Sequence, residues 1–490
     1  MIIRWVCEKD RKKWIYPVEK CIYCKSPVKK IVSREAKVIG ITRVNVPSPL
    51  HPIVPYNVVL LEDEHDNRMP KKTMKEYSIG DAYSIKKPKS KNAVIVTKIK
   101  YDLREALKES LELLDYFGLN EGDKILIKPS IIEPAYPYQA VNTSPKLIEA
   151  LLGILKEKRI LDIVAAEQSW PSNDTAASAE KSGITEACNK YGCKVIDLKN
   201  AEYTEKEVDG MKFNIAKEVF GRKVINVPVL KTNSQILISG AMENMIRVTD
   251  NKTQEMMYSG DIEKTLPKLM KALPEFLTIG DGTIGMHAQG PTALGDPAFL
   301  NMLLISNDAV ALDAVFAEIG MLPRPEYVKE ADSIGAGEGM VKNIEVVGED
   351  LEAVKLNLKP ASGEATGHPR IKLIDGKASP AIFNEALAIS SKLIGLSGYQ
   401  MHLAIGKFIE KEMTADKERI VAYGKDAIEK MRELGIKTAA EIPEDMESME
   451  KIALIKSILN DQKKYTINAA DRIKSKIASF GMKLKKTISK

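Results

Sequence analysis

The sequence is poor in cysteine and has no long apolar run, and these two absences exclude several classes of protein. Five cysteines among 490 residues do not make a disulfide framework, and they do not form the closely spaced run that holds an iron–sulfur cluster. No stretch of about 18 residues is apolar throughout, as a membrane-spanning helix requires. The nearest candidate, 386–405, contains Lys392, Gln400 and His402. The first residues also lack the charged and apolar segments of a secretory signal, so we expect a cytoplasmic protein.

Length and charge indicate the broad organisation of the chain. Its 490 residues suffice for about two to four domains, and its shares of 44% hydrophobic and 29% charged residues are typical of globular proteins. Residues 1–100 carry 22 Lys/Arg against 10 Asp/Glu, and 463–490 carry nine against one, so both ends are basic and the body is acidic. Basic ends favour phosphate-bearing partners or docking onto acidic protein surfaces; a solvated basic face without a specific partner is the alternative.

The first 90 residues show the pattern of a small antiparallel β-barrel. Strand-like runs at Lys37–Val44, Tyr56–Glu62 and Asp81–Ile85 are separated by proline-rich turn clusters. The lysine-rich segment 86–91 is typical of a solvated linker. A barrel of this kind would occupy residues 36–90.

From residue 93 onward the pattern changes to strands alternating with helices. Lys124–Lys128 and Leu161–Glu167 are typical of buried strands, and Pro145–Lys158, with proline in its first turn, is typical of the helix between them. Repeated units of this kind predict a doubly wound, mostly parallel α/β sheet, which we assign to residues 93–380.

The last part of the chain, 381–490, has no strand-like run and is predicted to be helical throughout. Near its end, apolar residues recur at helical spacing and lysines occupy the opposite face. The apolar residues of this basic C-terminal helix are Ile473, Ile477, Phe480, Leu484 and Ile488. Such a helix could lie on an anionic membrane or pack on a partner. We favour a third arrangement, in which its apolar stripe covers the core of the protein itself.

Two short cysteine motifs near the N-terminus have the spacing of a tetrahedral metal site. Cys7-x-x-Asp10 is followed after ten residues by Cys21-x-x-Cys24, and two such facing turns supply four ligands to zinc without a large core. The aspartate in place of one cysteine binds zinc less tightly than a thiolate would. We expect a structural zinc at these four residues, in a ribbon at 1–35; a ribbon that has lost its metal is the alternative.

Residues 1–85 resemble the domain of unknown function 35 family, whose members are acyl-CoA-associated zinc-ribbon/OB proteins. The resemblance rests on the two cysteine turns, Tyr16-Pro17 between them, the strand 37–43, the segment Pro55–Glu62 and Gly80-Asp81. It implies an OB-fold barrel at 36–90 beside the path of CoA. It also implies that the ribbon docks on a thiolase-like or other acyl-CoA enzyme.

Residues 93–350 resemble a second family, that of domain of unknown function 362. The matching motifs are Lys128-Pro129-Ser130, Thr143-Ser144-Pro145, Lys231-Thr232-Asn233, Glu243-Asn244, Asp281-Gly282, Gly290-Pro291, and Asn307-Asp308 with Asp313. Two positions depart from the family's pattern, because Asn233 stands where histidine is usual and Glu243 where lysine is usual. The family has no settled reaction, so the resemblance implies a fold and a site.

Several of these polar residues follow predicted strands, which places them at one edge of the sheet. Ligands of doubly wound sheets bind beyond the carboxyl ends of the strands, and lysines near helix N-termini favour phosphate or carboxylate. We predict catalytic roles for Lys128, Lys231, Asp281 and Asp313, and ligand-binding roles for Ser130, Thr143, Asn233, Asn244, Gly290 and Asp308. Asp281 and Asp313 could hold a divalent metal, or one could act as a general base. For Asp308 we favour helix capping, and for Asp313, within an apolar helix, a functional or paired carboxylate.

These features predict a protein that binds an anionic small molecule (acyl-CoA, a carboxylate or a phosphate) and takes part in acyl-CoA or thiolase-type metabolism, with CoA as a candidate cofactor. A non-catalytic scaffold that recruits a partner enzyme is the alternative, and the motifs do not name a reaction. Nucleic-acid binding by the ribbon, barrel and basic tail is a weaker alternative. Trp5, Trp14 and Tyr16 fall in the ribbon and leave the barrel without an aromatic strip.

Overall fold

The computed structural model describes most of the first 361 residues and several shorter segments after them. The described residues are 2–48, 51, 53–100, 102–171, 173–288, 290–292, 295–361, 371–375, 402–405, 419–443, 445–447, 450–451, 453–454 and 457. The chain divides into two compact units. The first comprises 1–232, 238–287 and 296–359, and the second comprises 233–237, 288–295 and 360–490.

The N-terminal segment of the first unit folds into two antiparallel sheets. Their strands are β1 (Ile2–Val6), β2 (Lys13–Trp14), β3 (Lys29–Ser33), β4 (Glu35–Val44), β5 (Tyr56–Glu62), β6 (Arg68–Thr73) and β7 (Ala82–Ser84). The first sheet has the order β2-β1-β3, and the second has the order β6-β5-β4-β7. Alternate residues of β5, including Val59 and Leu61, are fully buried, which is the pattern of a strand with one face on a core. The prediction of antiparallel β-structure in this segment is confirmed.

A large mixed sheet forms the centre of the first unit. The strands that follow in the chain are β8 (Val94–Lys98), β9 (Lys124–Pro129), β10 (Asp162–Glu167), β11 (Lys194–Asp197), β12 (Tyr203–Val208), β13 (Met211–Ala216), β14 (Lys223–Val227), β15 (Val229–Asn233), β16 (Leu237–Ser239), β17 (Phe276–His287), β18 (Asp296–Ala298), β19 (Met302–Ser306) and β20 (Val346–Gly348). The main path of the sheet is β11-β10-β9-β14-β17-β19-β8-β20, and β12 and β13 form a separate hairpin.

The direction of the strands agrees with the sequence prediction except at β19 and at the short strand β18, which is antiparallel to β17. Strands β11, β10, β9, β14 and β17 are parallel neighbours, and β8 and β20 are also parallel. Strand β19 runs antiparallel to both β17 and β8. Because β19 is antiparallel to both of its neighbours, β8 and β17 run in the same direction. The carboxyl ends of β8 and β17 therefore lie at the same edge of the sheet.

Helices cover both faces of this sheet. They are α1 (Leu103–Leu113), α2 (Pro145–Glu157), α3 (Thr175–Lys181), α4 (Ile184–Lys190), α5 (Ala241–Asn244), α6 (Asn251–Ser259), α7 (Ile262–Ala272), α8 (Ala309–Ile319), α9 (Glu326–Ser333) and α10 (Leu351–Val354), with short 3-10 helices at Asp115–Gly118, Pro137–Gln139, Leu198–Asn200, Lys217–Val219, Met245–Val248 and Val341–Asn343. Ile125 and Ile127 pack in one core with residues of α1, α2 and α4, whereas α5 and α8 contact the sheet elsewhere. Leu126, which points to the opposite face from its neighbours, is also fully buried, as expected of a strand covered on both sides.

The N-terminal sheets are bound to the α/β domain by buried polar contacts. Lys71 Nζ lies 3.0 Å from a carboxylate oxygen of Glu349, and both side chains are mostly buried. Asp350 Oδ2 accepts hydrogen bonds from the Thr73 hydroxyl (3.1 Å) and from the Met74 N–H (2.9 Å). The predicted linker 86–91 is also held, since Glu345 accepts two backbone N–H groups from it at 2.8 Å. The N-terminal sheets and the α/β domain therefore pack as one compact unit.

The second unit contains a parallel sheet, and three of its four strands lie where helices alone were predicted. Its strands are β21 (Ile371–Asp375), β22 (His402–Ile405), β23 (Arg419–Tyr423) and β24 (Ala440–Ile442), in the order β22-β21-β23-β24, and α11 (Lys425–Glu433) follows β23. The prediction that 381–490 is helical throughout is wrong for β22, β23 and β24, which lie in that range. Their apolar runs are too short to show a period, so they cannot be told from helix by pattern. The predicted basic helix at 463–490 lies outside the described residues.

Candidate functional site at the carboxyl edge of the sheet

Sheet register brings several predicted site residues to one edge. Lys128 of β9 pairs in register with Asn226 of β14, which pairs with Thr278 of β17. Asp281 follows three residues later in β17, just beyond the end of β14. Since these strands are parallel, Lys128 and Asp281 both lie at the carboxyl edge, where ligands of such sheets bind.

Lys128 forms a buried ion pair that the sequence did not predict. Its Nζ lies 2.7 Å from Oε2 of Glu167, the last residue of β10, and the side chains are 0% and 1% exposed. Glu167 also accepts backbone N–H groups from Ile131 (3.2 Å) and Gln168 (2.8 Å). Burial lowers the pKa of Lys128 and raises that of Glu167, and the attraction between them opposes both shifts. The pair is therefore fixed in place by contacts on both sides.

Lys231 and Asp281, two more of the predicted catalytic residues, are also ionisable and almost fully buried at this edge of the sheet. Lys231 Nζ donates to the carbonyl oxygen of Val141 at 2.5 Å. Burial lowers the pKa of Lys231 to about 8, although nearby carboxylates, Glu243 foremost, act in the opposite direction. Asp281 accepts the N–H of Ser144, at the start of α2, at 2.7 Å and the hydroxyl of Thr283 at 2.6 Å. Burial raises the pKa of Asp281, and these hydrogen bonds oppose the shift.

The smaller polar residues of the predicted site connect the strand ends to one another. Thr143 Oγ1 accepts the Ser130 N–H at 2.7 Å and donates to the carbonyl of Val227 at 2.6 Å. Asn244 Nδ2 donates to Asn226 Oδ1 at 2.7 Å and to the carbonyl of Lys128 at 3.2 Å. These bonds hold the loops after β9 and β14 in register, which is a positioning role.

Two predicted aspartates cap helices. Asp308 is the N-cap of α8, and its carboxylate accepts three backbone N–H groups at 2.9–3.0 Å, the third from Glu338. Asp313, inside α8, accepts the N–H groups of Ala241 and Met242 at the start of α5 and the hydroxyl of Tyr327. Burial raises the pKa of Asp313 to about 7. The expectation of a paired carboxylate at Asp313 agrees with these contacts, which are with groups other than Lys128, Lys231 and Asp281.

Asn233 and Gly290 belong to the second compact unit. Asn233 Oδ1 accepts the N–H groups of Gln235 (2.7 Å) and Ile236 (3.2 Å), which is the geometry of a local turn. Gly290 precedes Pro291 through a cis peptide bond. Their ligand-binding roles remain predictions.

The structure adds three charged residues to the neighbourhood of Lys128 and Lys231. Glu167 is the last residue of the buried strand β10. Its position at a strand end, which is the feature that singled out Lys128, could have identified it from the sequence. Glu243 accepts the Tyr258 hydroxyl at 2.9 Å. Arg247 stacks with its guanidinium 4.4 Å from the ring centre of Trp170. Glu243 and Arg247 act electrostatically on Lys128, so we include them in the sheet-edge cluster, defined as Lys128, Glu167, Lys231, Glu243, Arg247 and Asp281.

The N-terminal cysteine motifs come together as the sequence predicts. The ligand atoms of Cys7, Asp10, Cys21 and Cys24 all lie within 4.8 Å of one another. Cys7 Sγ is 3.5 Å from Cys24 Sγ, and Cys21 Sγ is 3.0 Å from Asp10 Oδ2. Tetrahedral zinc with Zn–S bonds of about 2.3 Å places its sulfur ligands roughly 3.8 Å apart, so this cluster fits such an ion. Among the described residues no comparable group of three His, Cys, Asp or Glu ligands occurs elsewhere. The divalent metal at Asp281 and Asp313 stays a prediction.

Membrane association through a spanning helix has no support in the described part of the chain. None of the helices formed by those residues combines the length and the apolar composition needed to cross a bilayer.

Comparisons with known proteins place the central domain. Residues 125–318 match the model of the family described as Domain of unknown function (DUF362). The chain is also 23% identical over 292 residues to the thylakoid-associated protein sll1697 of Synechocystis sp., an alignment that covers 57% of this chain and 84% of the relative. The match of 125–318 includes β9, β10, β14, β17 and most of α8, and therefore the whole sheet-edge cluster. Residues 125–318 are thus a domain of the DUF362 type, fused to further segments on both sides.

Proposed function

We propose that the α/β domain binds an anionic small molecule at the carboxyl edge of its sheet, with Lys231 as the cation that meets it. The observation that carries this proposal is the burial of five of the six ionisable side chains in the sheet-edge cluster, all but that of Glu243. Burying such groups is unfavourable, and it is tolerated mainly where binding, chemistry or structural specificity requires it. Clusters of groups with displaced pKa values are typical of functional sites.

Within this site, Lys231 and Asp281 have complementary roles. The pKa of Lys231, lowered by burial to about 8, lets this amine hold or release a proton near neutral pH. An anion beside Lys231 would favour its ammonium form. Asp281 is held by Ser144 and Thr283 in one orientation and can accept a proton from the same ligand. Glu167 holds Lys128, and Asn244 holds the loop after it, so these act as positioning residues.

The proposal is tested by titrating the full-length protein with CoA, acetyl-CoA, acetate and inorganic phosphate in a calorimeter. Lys231→Met should weaken binding of the preferred anion by about 1.5–3 kcal/mol, the usual contribution of a charge-assisted hydrogen bond. Lys124→Met is the matched control, because Lys124 is an exposed lysine at the opposite end of β9. Equal affinity of the Lys231→Met variant and the wild type would refute the role of Lys231.

We further propose that the anion is an acyl-CoA or the acid released from one, and that residues 1–90 are a zinc-ribbon/OB module serving a thiolase-like partner. The two antiparallel sheets and the facing cysteine turns support this assignment. Zinc held by Cys7, Asp10, Cys21 and Cys24 would cross-link two turns that have only a small core of their own. Metal analysis should find about one zinc per chain. Cys21→Ser/Cys24→Ser should lose it, whereas Cys188→Ser/Cys193→Ser, which alters two buried cysteines elsewhere, should keep it.

A non-catalytic scaffold is the second candidate, and one observation favours it. Lys128 is already neutralised by Glu167 at 2.7 Å, so part of the cluster serves the protein's own structure. A scaffold would bind none of the anions above but would still bind its partner enzyme. Oligonucleotides belong in the same titration, since tight binding to them would favour the nucleic-acid alternative instead.

A further inference from the structure

An open cleft lies in the first unit between the N-terminal sheets and the α/β domain. Its volume is about 770 Å³, within the range of sites that hold small molecules. One wall is formed by His51 and by residues 70–72 of β6. The other is formed by the end of β8 with residues 99–100, by His287, by residues 297–301, and by Glu349 with residues 353–358.

Sheet register relates this cleft to the sheet-edge cluster. Lys98, the last residue of β8, pairs with Met302 of β19, which pairs with Gly282 of β17, the residue after Asp281. Two strand spacings, about 10 Å, therefore separate the backbone of Lys98 from that of Gly282. The cleft and the cluster lie along the same carboxyl edge, on opposite sides of β19.

The lining of the cleft carries an excess of positive charge. Its charged residues are Lys71, Lys72, Lys98, Lys100, Lys355 and Glu349. The carboxylate of Glu349 forms ion pairs with Lys71 (Nζ to Oε2, 3.0 Å) and with Lys100 (Nζ to Oε1, 4.0 Å). Lys355 forms ion pairs with Glu318 and Glu352. Lys72 and Lys98 form no ion pair with any residue that the structure describes. Lys98 instead donates to the carbonyl of Leu300 at 2.7 Å, and Lys72 lies 4.6 Å from the ring centre of Tyr56.

The positive charge of Lys72 acts on Lys98, and both lysines act on a neighbouring histidine, whereas the carboxylate of Asp350 favours the charged form of Lys72. Burial lowers the pKa of Lys98, and the positive charge of Lys72 lowers it further, against the pull of Glu349. Burial also lowers the pKa of His51, and both lysines add to that shift. Positive charges that repel one another inside a concave, half-buried space favour the entry of an anion.

The remaining lining of the cleft is apolar. Ile99, Phe299, Leu300 and Leu356 contribute to it, and the Phe299 side chain is 69% exposed, which is unusual for phenylalanine. An occupant with an apolar part next to its charged group would cover this exposed ring.

We propose that the cleft binds a phosphate-bearing small molecule, with its phosphate between Lys72 and Lys98 and its apolar part against Phe299. A phosphate dianion carries two negative charges and can balance both lysines, whereas a carboxylate monoanion balances only one of them. The concave shape and the apolar wall favour a small molecule over a nucleic-acid backbone, which would need an extended basic strip with stacking aromatics. This site uses residues outside the sheet-edge cluster and does not depend on the function of Lys231.

The test uses the full-length protein with two probes, inorganic phosphate and hexyl phosphate, in calorimetric titrations. The wild type should bind hexyl phosphate more tightly than phosphate. Lys72→Met/Lys98→Met should weaken both about tenfold or more, because each lost charge-assisted hydrogen bond accounts for roughly that factor. Lys124→Met/Lys252→Met removes the same charge from exposed positions and should change either affinity less than about twofold.

Two further variants separate the parts of the proposal. Phe299→Ala should weaken hexyl phosphate and leave inorganic phosphate unchanged, because the ring contacts only the apolar part. In a Lys231→Met background, Lys72→Met/Lys98→Met should still weaken binding of both probes, which distinguishes this cleft from the sheet-edge site. Failure of the wild type to bind either probe, or equal binding by the Lys72→Met/Lys98→Met variant, would overturn the proposal. A single-stranded oligonucleotide that binds more tightly than hexyl phosphate, and is lost in that variant, would overturn the small-molecule assignment.

Discussion

The Lys128–Glu167 pair of the sheet-edge cluster and the cleft that contains Lys72 and Lys98 (the basic cleft) lie along one edge of the same sheet but differ in how their charges are compensated. In the cluster, Lys128 and Glu167 are paired at 2.7 Å with almost no exposure to solvent. In the cleft, Lys72 and Lys98 remain half-buried without an ion pair among the described residues. The interior of a protein does not tolerate an uncompensated charge, whereas an open cleft can, because water screens it until a ligand arrives.

This difference assigns separate tasks to the Lys128–Glu167 pair and to the basic cleft. Charges that are paired inside the protein contribute to its stability and to the orientation of neighbouring groups, so removing one should mainly change folding. Charges that lack a partner at an open surface are available to a ligand, so removing one should mainly change binding. Measurements of stability and of binding on matched variants can show whether the two functions separate in this way.

The largest effect is expected from Glu167→Ala. It leaves the buried ammonium of Lys128 without its carboxylate, and breaking one side of a buried pair costs about 3–5 kcal/mol. The free energy of unfolding in urea measures this loss. Lys128→Met/Glu167→Leu, which replaces both charges with apolar groups, is the control and should recover most of the stability. A stability loss below about 1 kcal/mol in Glu167→Ala would show that solvent reaches this pair.

The next effect is a pH dependence that comes from Lys231. Its folded-state pKa of about 8 is below the ordinary lysine value, so between about pH 8 and 10.4 the unfolded chain binds more protons than the folded one. The wild type should therefore gain about 1–3 kcal/mol of stability as pH rises through this window. Lys231→Met should remove that gain, whereas Lys98→Met should remove less because Lys98 is less deeply buried. Urea unfolding at pH 7.5, 8.5 and 9.5 measures the slope.

Much of the sheet-edge cluster could be predicted because strand ends leave a local signal. Lys128 follows a run of buried apolar residues, and parallel topology brings such ends together without knowledge of side-chain contacts. The partner of Lys128 could not be predicted, because only the adjacency of β9 and β10 brings Glu167 to it. Helix capping by Asp308 could be predicted from the local sequence alone. The two N–H groups that Asp308 caps within α8 belong to residues two and three positions further along the chain.

Two parts of the fold have no such signal. The apolar run of β19 predicts a buried strand but not its direction, which β17 and β8 decide by pairing on both sides. Strands β21 to β24 are short, and short apolar runs fit a helix and a strand equally well. The basic cleft could not be predicted from the sequence, because no local pattern marks it. Lys72 and Lys98 belong to different sheets, and only the docking of those sheets through Lys71 and Glu349 brings them to one space.

Glu349→Gln should separate binding from stability within the cleft. Glu349 is the single carboxylate among the residues that line it, so its removal leaves more positive charge for a phosphate. The affinity for hexyl phosphate should rise about tenfold, equivalent to roughly 1.4 kcal/mol. The free energy of unfolding should fall, because Lys71 loses its partner at the contact between the N-terminal sheets and the α/β domain. Reduced affinity together with reduced stability would instead show that Glu349 shapes the cleft.

The smallest effect is expected from salt, and it distinguishes the two regions without any substitution. At an ionic strength of about 0.1 M the screening length is about 10 Å, which weakens interactions between charges in contact with water and affects buried pairs much less. Raising salt from about 0.05 to about 0.5 M should therefore weaken binding of hexyl phosphate in the cleft several-fold. The stability lost in Glu167→Ala should stay the same within error over that range, because Lys128 and Glu167 are 0% and 1% exposed. If both quantities changed in parallel with salt, the cluster would be open to solvent and the contrast between the two regions would not hold.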